Sequence, residues 1–195
     1  MKKILNLFIL VLALTLSVNS SFSSQSIEET KRQIIALYNS NQLEEANNMI
    51  SKLTESERDY EIWYLLGNIA QDFNNDTNAS FFLQKSIILN PQFDKARYNL
   101  ANIYLKEKRY NSAIKEYQAA IKIKKDFPYY YYNLGCAYLG QKEYKEAANA
   151  FKKAIKLKAD VAEFYYNLAY AYKKLNNEKE YQKAIDTYNK LKENE

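Results

Sequence analysis

The sequence predicts an all-α solenoid built from stacked helix–turn–helix units. Three observations predict it. The pairs Leu66-Gly67, Leu100-Ala101, Leu134-Gly135 and Leu168-Ala169 recur at a constant step of 34 residues. A fixed period of that size is the mark of a repeat architecture. Only 3 glycines and 2 prolines occur in 195 residues, too few to turn the many hairpins of a sheet protein. Within a period, apolar residues recur at helical spacing, as in Tyr110, Ala113, Ile114, Tyr117, Ala120 and Ile121.

The chain opens with a segment that is not predicted to join the fold. Lys2 and Lys3 precede a mainly apolar run from Ile4 to Val18, and small residues follow. This is the pattern of a secretory signal peptide, assigned here to residues 1–23. The run is shorter than the ~20 residues of a spanning helix, which favours removal over anchoring.

Residues 27–59 read as a degenerate first unit. Leu43, Ala46 and Ile50 fit a second helix, while Thr30 and Gln33 stand where bulky residues belong. Units 60–93, 94–127 and 128–161 share aligned columns: Ala79, Ala113 and Ala147 are one, and Tyr104 and Tyr138 begin another that reaches Tyr172. In 94–127 the first helix carries Leu100, Ile103 and Tyr104, KEKR turns the chain, and the Tyr110 stripe forms the second helix. Ala101, Ala113 and Ala120 let the two helices approach. One pair cannot bury its apolar face alone, so it stacks on its neighbours. The unit 162–195 is irregular. Aligning Tyr181, Ala184, Ile185 and Tyr188 with earlier second helices asks for about four extra residues, or one helical turn, after Lys174. Its Lys- and Glu-rich second helix suits a solvent-facing cap.

These units resemble the tetratricopeptide repeat. The resemblance is carried by WYLLG at Trp63–Gly67, by Ala79, by Asn90-Pro91, and by YNLANIY, YNLGCAY and YNLAYAY beginning at Tyr98, Tyr132 and Tyr166. It implies a right-handed superhelix, with first helices lining a concave groove and second helices mainly on the convex side. The predicted peptide-binding groove residues are Tyr64, Asn68, Tyr98, Asn99, Asn102, Tyr129, Tyr132, Asn133, Tyr166, Asn167 and Tyr170. Tyrosine rings and side-chain amides are common in recognition surfaces.

The column Asn99, Asn133, Asn167 has two readings. Its amides donate and accept, and the resemblance allows them to hold a peptide backbone. They equally suit local hydrogen bonds within the array. On the first reading, changing all three to alanine weakens peptide binding without unfolding the protein. A terminal-carboxylate clamp, another mode of the family, is poorly met: Tyr64, Tyr129 and Asn133 replace its cations. Cys136 is read as a small space-filling residue or as a reactive thiol.

Composition argues against most enzyme classes. Histidine is absent, one cysteine is present, and the three glycines are scattered. Histidine acid–base chemistry, thiolate zinc sites and phosphate-cradling loops are excluded on those grounds. The pairs Glu28-Glu29 and Glu44-Glu45 read as ordinary helix faces, since neighbours on a helix point ~100° apart. No catalytic residue, cofactor or metal is predicted.

Charge is uneven along the chain. From Ser24 to Phe93 there are 5 basic and 10 acidic residues, and from Asp94 to Glu195 there are 21 and 13. Lys115, Lys122, Lys124 and Lys125 belong to one second helix and its exit. Lys145, Lys152, Lys153, Lys156 and Lys158 belong to the next. The resulting expectation is a non-catalytic scaffold, exported to the periplasm, envelope or medium, that binds a protein or peptide partner in its groove. The alternative is an adaptor whose basic convex helices bind anionic lipid or polymer. Nucleic acid is not an expected partner of an exported chain.

The run Tyr129–Tyr132 is expected to splay around one first helix. Tyr131 should join the core in the phase of Trp63, Tyr130 should contact the preceding unit, and Tyr129 and Tyr132 should face the groove with Asn133.

Overall fold

A computed structural model describes residues 26–193, so the expected leader at 1–23 lies outside the described residues. Among the described residues the fold is all-helical: ten α-helices, one short 3-10 helix and no strand. Helix α1 spans 26–39 and α2 Leu43–Ser51. Four regular pairs follow: α3 (Tyr60–Asp72) with α4 (Asp76–Leu89), α5 (Asp94–Lys106) with α6 (Tyr110–Ile123), α7 (Pro128–Gly140) with α8 (Tyr144–Leu157), and α9 (Ala162–Lys174) with α10 (Glu178–Lys192).

Local chemistry sets where these helices begin. Asp59 accepts from the Glu61 and Ile62 amides and opens α3. Asn75 does the same for α4 and Asn177 for α10. Such side chains satisfy amides that no helical carbonyl can reach. Pro128 opens α7 at a position where its missing N–H costs nothing. Lys31 of α1 ties into the same start of α3 through ion pairs with Asp59, at 2.5 Å, and with Glu61. Burial disfavours its charge, but the two carboxylates outweigh that and raise its pKa above the usual lysine range.

The turn inside each pair is the most regular feature of the backbone. Asn74, Lys108, Lys142 and Asn176 all have positive φ, between 56° and 65°, and lie 34 residues apart. The amides of Asn75, Arg109, Glu143 and Asn177 each return to the carbonyl five residues back, at 2.7, 2.8, 2.9 and 3.0 Å. This left-handed termination satisfies carbonyls at the end of the first helix. It corrects the expected insertion after Lys174. The last turn and the start of α10 keep the 34-residue step from Lys142 and Tyr144. What changes is the side chain: Tyr181 occupies the place of buried Ala147. It is only half-buried, and among the described residues no further helix packs over α10.

Core columns repeat in the same phase. Ala79, Ala113 and Ala147 are fully buried, as are Leu83, Tyr117 and Phe151 one turn further on. Leu83 and Phe151 of the second column lie against Gly67 and Gly135 of the first helices. A Cβ on Gly135 would meet Phe151 at 2.6 Å, so the ring occupies space that only glycine leaves. The first helices α5, α7 and α9 contact one another in succession, and no two successive second helices approach as closely. The first helices therefore form the inner edge of the stack.

One intra-unit pair varies in chemistry from unit to unit. Trp63 meets Phe82 at 5.7 Å between ring centroids. The same two places in the next unit hold Arg97 and Glu116, paired at 2.7 Å. In the third they hold Tyr131 and Ala150, and in the fourth Tyr165 and Ala184. Ala150 is too short to roof Tyr131. A shallow hollow opens there, lined by Leu134, Tyr138 and Asn149. This corrects the expectation that Tyr131 is core: it is half-buried, and its hydroxyl donates to the Lys125 carbonyl at 3.1 Å.

Candidate functional site

The expected groove residues lie on α3, α5, α7 and α9, and the structure divides them into three groups. The first is glue between units. Tyr98 meets Tyr130 of the next unit at 5.0 Å, and Tyr132 stacks on Phe164 at 4.8 Å with 27° between planes. Tyr64 meets Phe93 edge-on at 5.0 Å. The residues beneath form one column, Ile62, Ala96, Tyr130 and Phe164, buried in every unit. Tyr130 reaches back as expected, donating to the Asp94 carboxylate at 2.6 Å. Tyr129 leans on Phe164 at 5.6 Å, with the Lys158 ammonium 5.8 Å from its ring.

The second group is a polar ladder along the inner edge. Asn99 Nδ2 donates to Asn68 Oδ1 at 2.7 Å. One unit on, Asn133 Nδ2 donates to Asn102 Oδ1 at 2.9 Å and to the Tyr98 hydroxyl at 3.0 Å. The Tyr117 hydroxyl donates to the same Asn102 oxygen at 2.7 Å. Asn167 Nδ2 donates to the Tyr132 hydroxyl at 2.8 Å. Asn68 is 8% exposed, so it is buried rather than open to the groove. The amide donors of the asparagine column are thus directed to neighbouring units. A triple alanine substitution would remove these structural bonds along with any contact to a peptide. Burial raises the pKa of the Tyr98 and Tyr132 hydroxyls, keeping them neutral members of the ladder.

Cys136 is the ladder's discontinuity. It stands one repeat after Asn68 and Asn102, where a third amide would face Asn167. Burial pushes its thiol up to about 11, against a lowering contribution from the Tyr132 hydroxyl. A protonated, covered thiol is a poor nucleophile. The space-filling reading of Cys136 is the one its surroundings favour.

The third group is open. Tyr166 is 53% exposed and Tyr170 42% exposed. Tyr166 has the phase of Tyr64, Tyr98 and Tyr132, but among the described residues no following helix covers it. Behind it stands Tyr188 of α10 at 5.4 Å, and the Lys174 ammonium lies 5.4 Å from the Tyr170 ring. Asn167, between them in sequence, keeps its carbonyl oxygen out of the ladder. The site is an aromatic face at the end of the inner edge, flanked by lysine. Among the described residues no cluster of carboxylates or thiol is arranged to hold a metal ion.

The repeat geometry meets independent sequence models at this point. Models described as TPR repeat or tetratricopeptide repeat match residues 60–93, 82–115, 101–142, 137–176 and 163–195. Residues 60–195 are tetratricopeptide repeats. Solved structures of MamA share the fold. MamA AMB-1 is 17% identical, with a TM-score of 0.77 over 86% of this chain and 92% of that one. MamA MSR-1 is 20% identical, with a TM-score of 0.75 over 85% and 95%. MamA 41-end from Desulfovibrio magneticus RS-1 is 21% identical, with a TM-score of 0.74 over 86% and 93%. Likeness at this identity establishes the solenoid of tetratricopeptide repeats and nothing of its ligand. Among curated proteins no sequence matches this chain.

Sequence reasoning found the tyrosine and asparagine columns but not the partners of either. A signal for the ladder was present. Asn68 and Asn102 form a second amide column, offset from Asn99 and Asn133 by 31 residues. On consecutive first helices that offset brings the two amides face to face.

Proposed function

We propose that this protein is a non-catalytic scaffold whose tetratricopeptide-repeat array binds an extended peptide or a helix of a protein partner. The observation that carries the reading is the exposed pair Tyr166 and Tyr170 at the end of the inner edge. Each earlier tyrosine of that column meets a ring in or just before the following first helix, and among the described residues Tyr166 has no such cover. A partner side chain laid on Tyr166 would take the place that Phe164 holds on Tyr132. Two large rings offer rigid contact area at low entropic cost. Asn167 Nδ2 gives one N–H to the Tyr132 hydroxyl, which leaves its second N–H and its Oδ1 at this end. A peptide backbone, which both donates and accepts, fits that chemistry.

The scaffold reading places the protein outside the cytoplasm, in the envelope, periplasm or medium, on the strength of the leader pattern at 1–23. Residues 27–59 serve as an N-terminal cap and α10 as a C-terminal one. The test is capture of the partner from native extract by the wild-type protein and by a variant carrying Tyr166→Ala and Tyr170→Ala. Loss of capture with unchanged helicity supports the reading. Equal capture by both proteins removes the aromatic face from the site.

A further inference from the structure

The outward faces of the second helices differ between units in a way that packing does not require. One repeat apart, the same outward place holds Phe81 in α4, Lys115 in α6 and Asn149 in α8. The next outward place holds Ile88, Lys122 and Lys156. The sibling helices show that a solvated residue suits each place. Yet Phe81 is 52% exposed and Ile88 73% exposed, with Leu89 exposed beside it. Phe81 has only partial cover, from Phe82 at 5.6 Å and the Lys85 ammonium at 5.5 Å.

The neighbouring outward faces are basic. Helices α6 and α8 together carry six lysines and two glutamates. One of those glutamates, Glu116, is already paired with Arg97. Lys115, Lys122 and Lys156 are exposed and make no ion pair among the described residues. An apolar stripe therefore adjoins a lysine field on the outer edge, away from the aromatic face of α9.

We propose that this outer surface docks on an anionic lipid bilayer. Phe81 and Ile88 enter the interface, and Lys115, Lys122 and Lys156 meet acidic headgroups. The two halves of the surface require different chemistry from one occupant. A soluble acidic polymer would neutralise the lysines and leave Phe81 and Ile88 in water. An apolar protein groove would take the stripe and leave the lysines without counter-charge. A bilayer with acidic headgroups supplies both phases within a few ångströms of each other. Docking on this edge leaves Tyr166 and Tyr170 free for a protein partner, so the proposal stands or falls separately from the groove reading.

The test places a reporter in the stripe. Phe81→Trp is titrated with vesicles whose acyl chains carry bromine, a short-range quencher of tryptophan. The native Trp63 is buried and provides a constant background. With acidic lipid, strong quenching is expected. It should fall about tenfold or more in apparent affinity at high salt, or when Lys115, Lys122 and Lys156 are changed to glutamine, because each lysine contributes separately near a charged surface. Neutral vesicles should quench little. A companion variant, Phe81→Asn with Ile88→Gln, keeps the charge and should also bind acidic vesicles about tenfold more weakly, because it removes the inserted apolar area. Absence of quenching with acidic vesicles overturns the proposal. So does binding of the companion variant at wild-type affinity, which would mark a purely electrostatic contact of the kind an acidic polymer makes.

Discussion

Asn133→Ala should destabilise the array measurably, and more than Asn167→Ala. The amide makes two bonds, to Asn102 Oδ1 and to the Tyr98 hydroxyl. A net hydrogen bond contributes about 0.5–1.5 kcal/mol, so the expected loss is about 1–3 kcal/mol. Asn102 keeps the Tyr117 hydroxyl as a donor, which holds the figure below the cost of a stranded acceptor. Asn99→Ala removes one bond but strands the buried Asn68 oxygen, costing about 1–3 kcal/mol. Asn167→Ala removes one bond near the open end and should cost about 0.5–1.5 kcal/mol. The sum is a large part of the ~5–15 kcal/mol that holds a domain folded. Urea unfolding followed by circular dichroism reads the series, with exposed Asn149→Ala as the control. Repeat arrays can unfold in stages, so midpoints at each stage are compared rather than one fitted energy. If Asn133→Ala matches the control within about 0.5 kcal/mol, the ladder contributes nothing measurable and the reasoning fails.

Cys136 should react slowly with a thiol reagent in the folded protein and at the free-thiol rate in urea. An unfolded thiol ionises near about 8.5 and the folded one near 11. Between those values the unfolded chain has lost its proton and the folded chain has not. This group's contribution is therefore full below the unfolded pKa and is lost as pH rises through the window. Cys136→Ala should flatten the alkaline fall in stability relative to wild type, and an unchanged slope would show that the thiol is not buried as described. At the turns, Lys142→Gly should raise stability by about 0.5–1 kcal/mol, since a residue with a Cβ is strained at φ 65°. Gln141→Gly, one residue earlier at φ −83°, should lower it. The same sign for both in thermal unfolding would contradict the strain argument.

The period, the helix pairs and the buried columns were legible because each depends on spacing alone. The 34-residue step fixes phase, and phase fixes which side of a helix a residue occupies. Which neighbour it meets there depends on size and chemistry one unit away. Tyr131 and Trp63 share a phase, yet Phe82 roofs one and Ala150 fails to roof the other. Tyr132 and Tyr166 share a phase, yet Phe164 covers one, while the other stays exposed among the described residues. The left-handed turns were hidden for another reason. Glycine or asparagine announces such a position, and lysine stands at 108 and 142. Tyr181 acts in the opposite direction: a large side chain in place of alanine imitates an insertion, while the backbone keeps its step.

The central proposal is that a protein partner docks on the exposed rings of Tyr166 and Tyr170 at the end of the inner edge. Photocrosslinking in native cells tests it most directly, with benzoylphenylalanine placed at Tyr166 and, separately, at exposed Asn149 of the outer edge. A discrete protein adduct from position 166 and none from position 149 is the predicted result. No protein adduct from 166, or the same adduct from both positions, would contradict it.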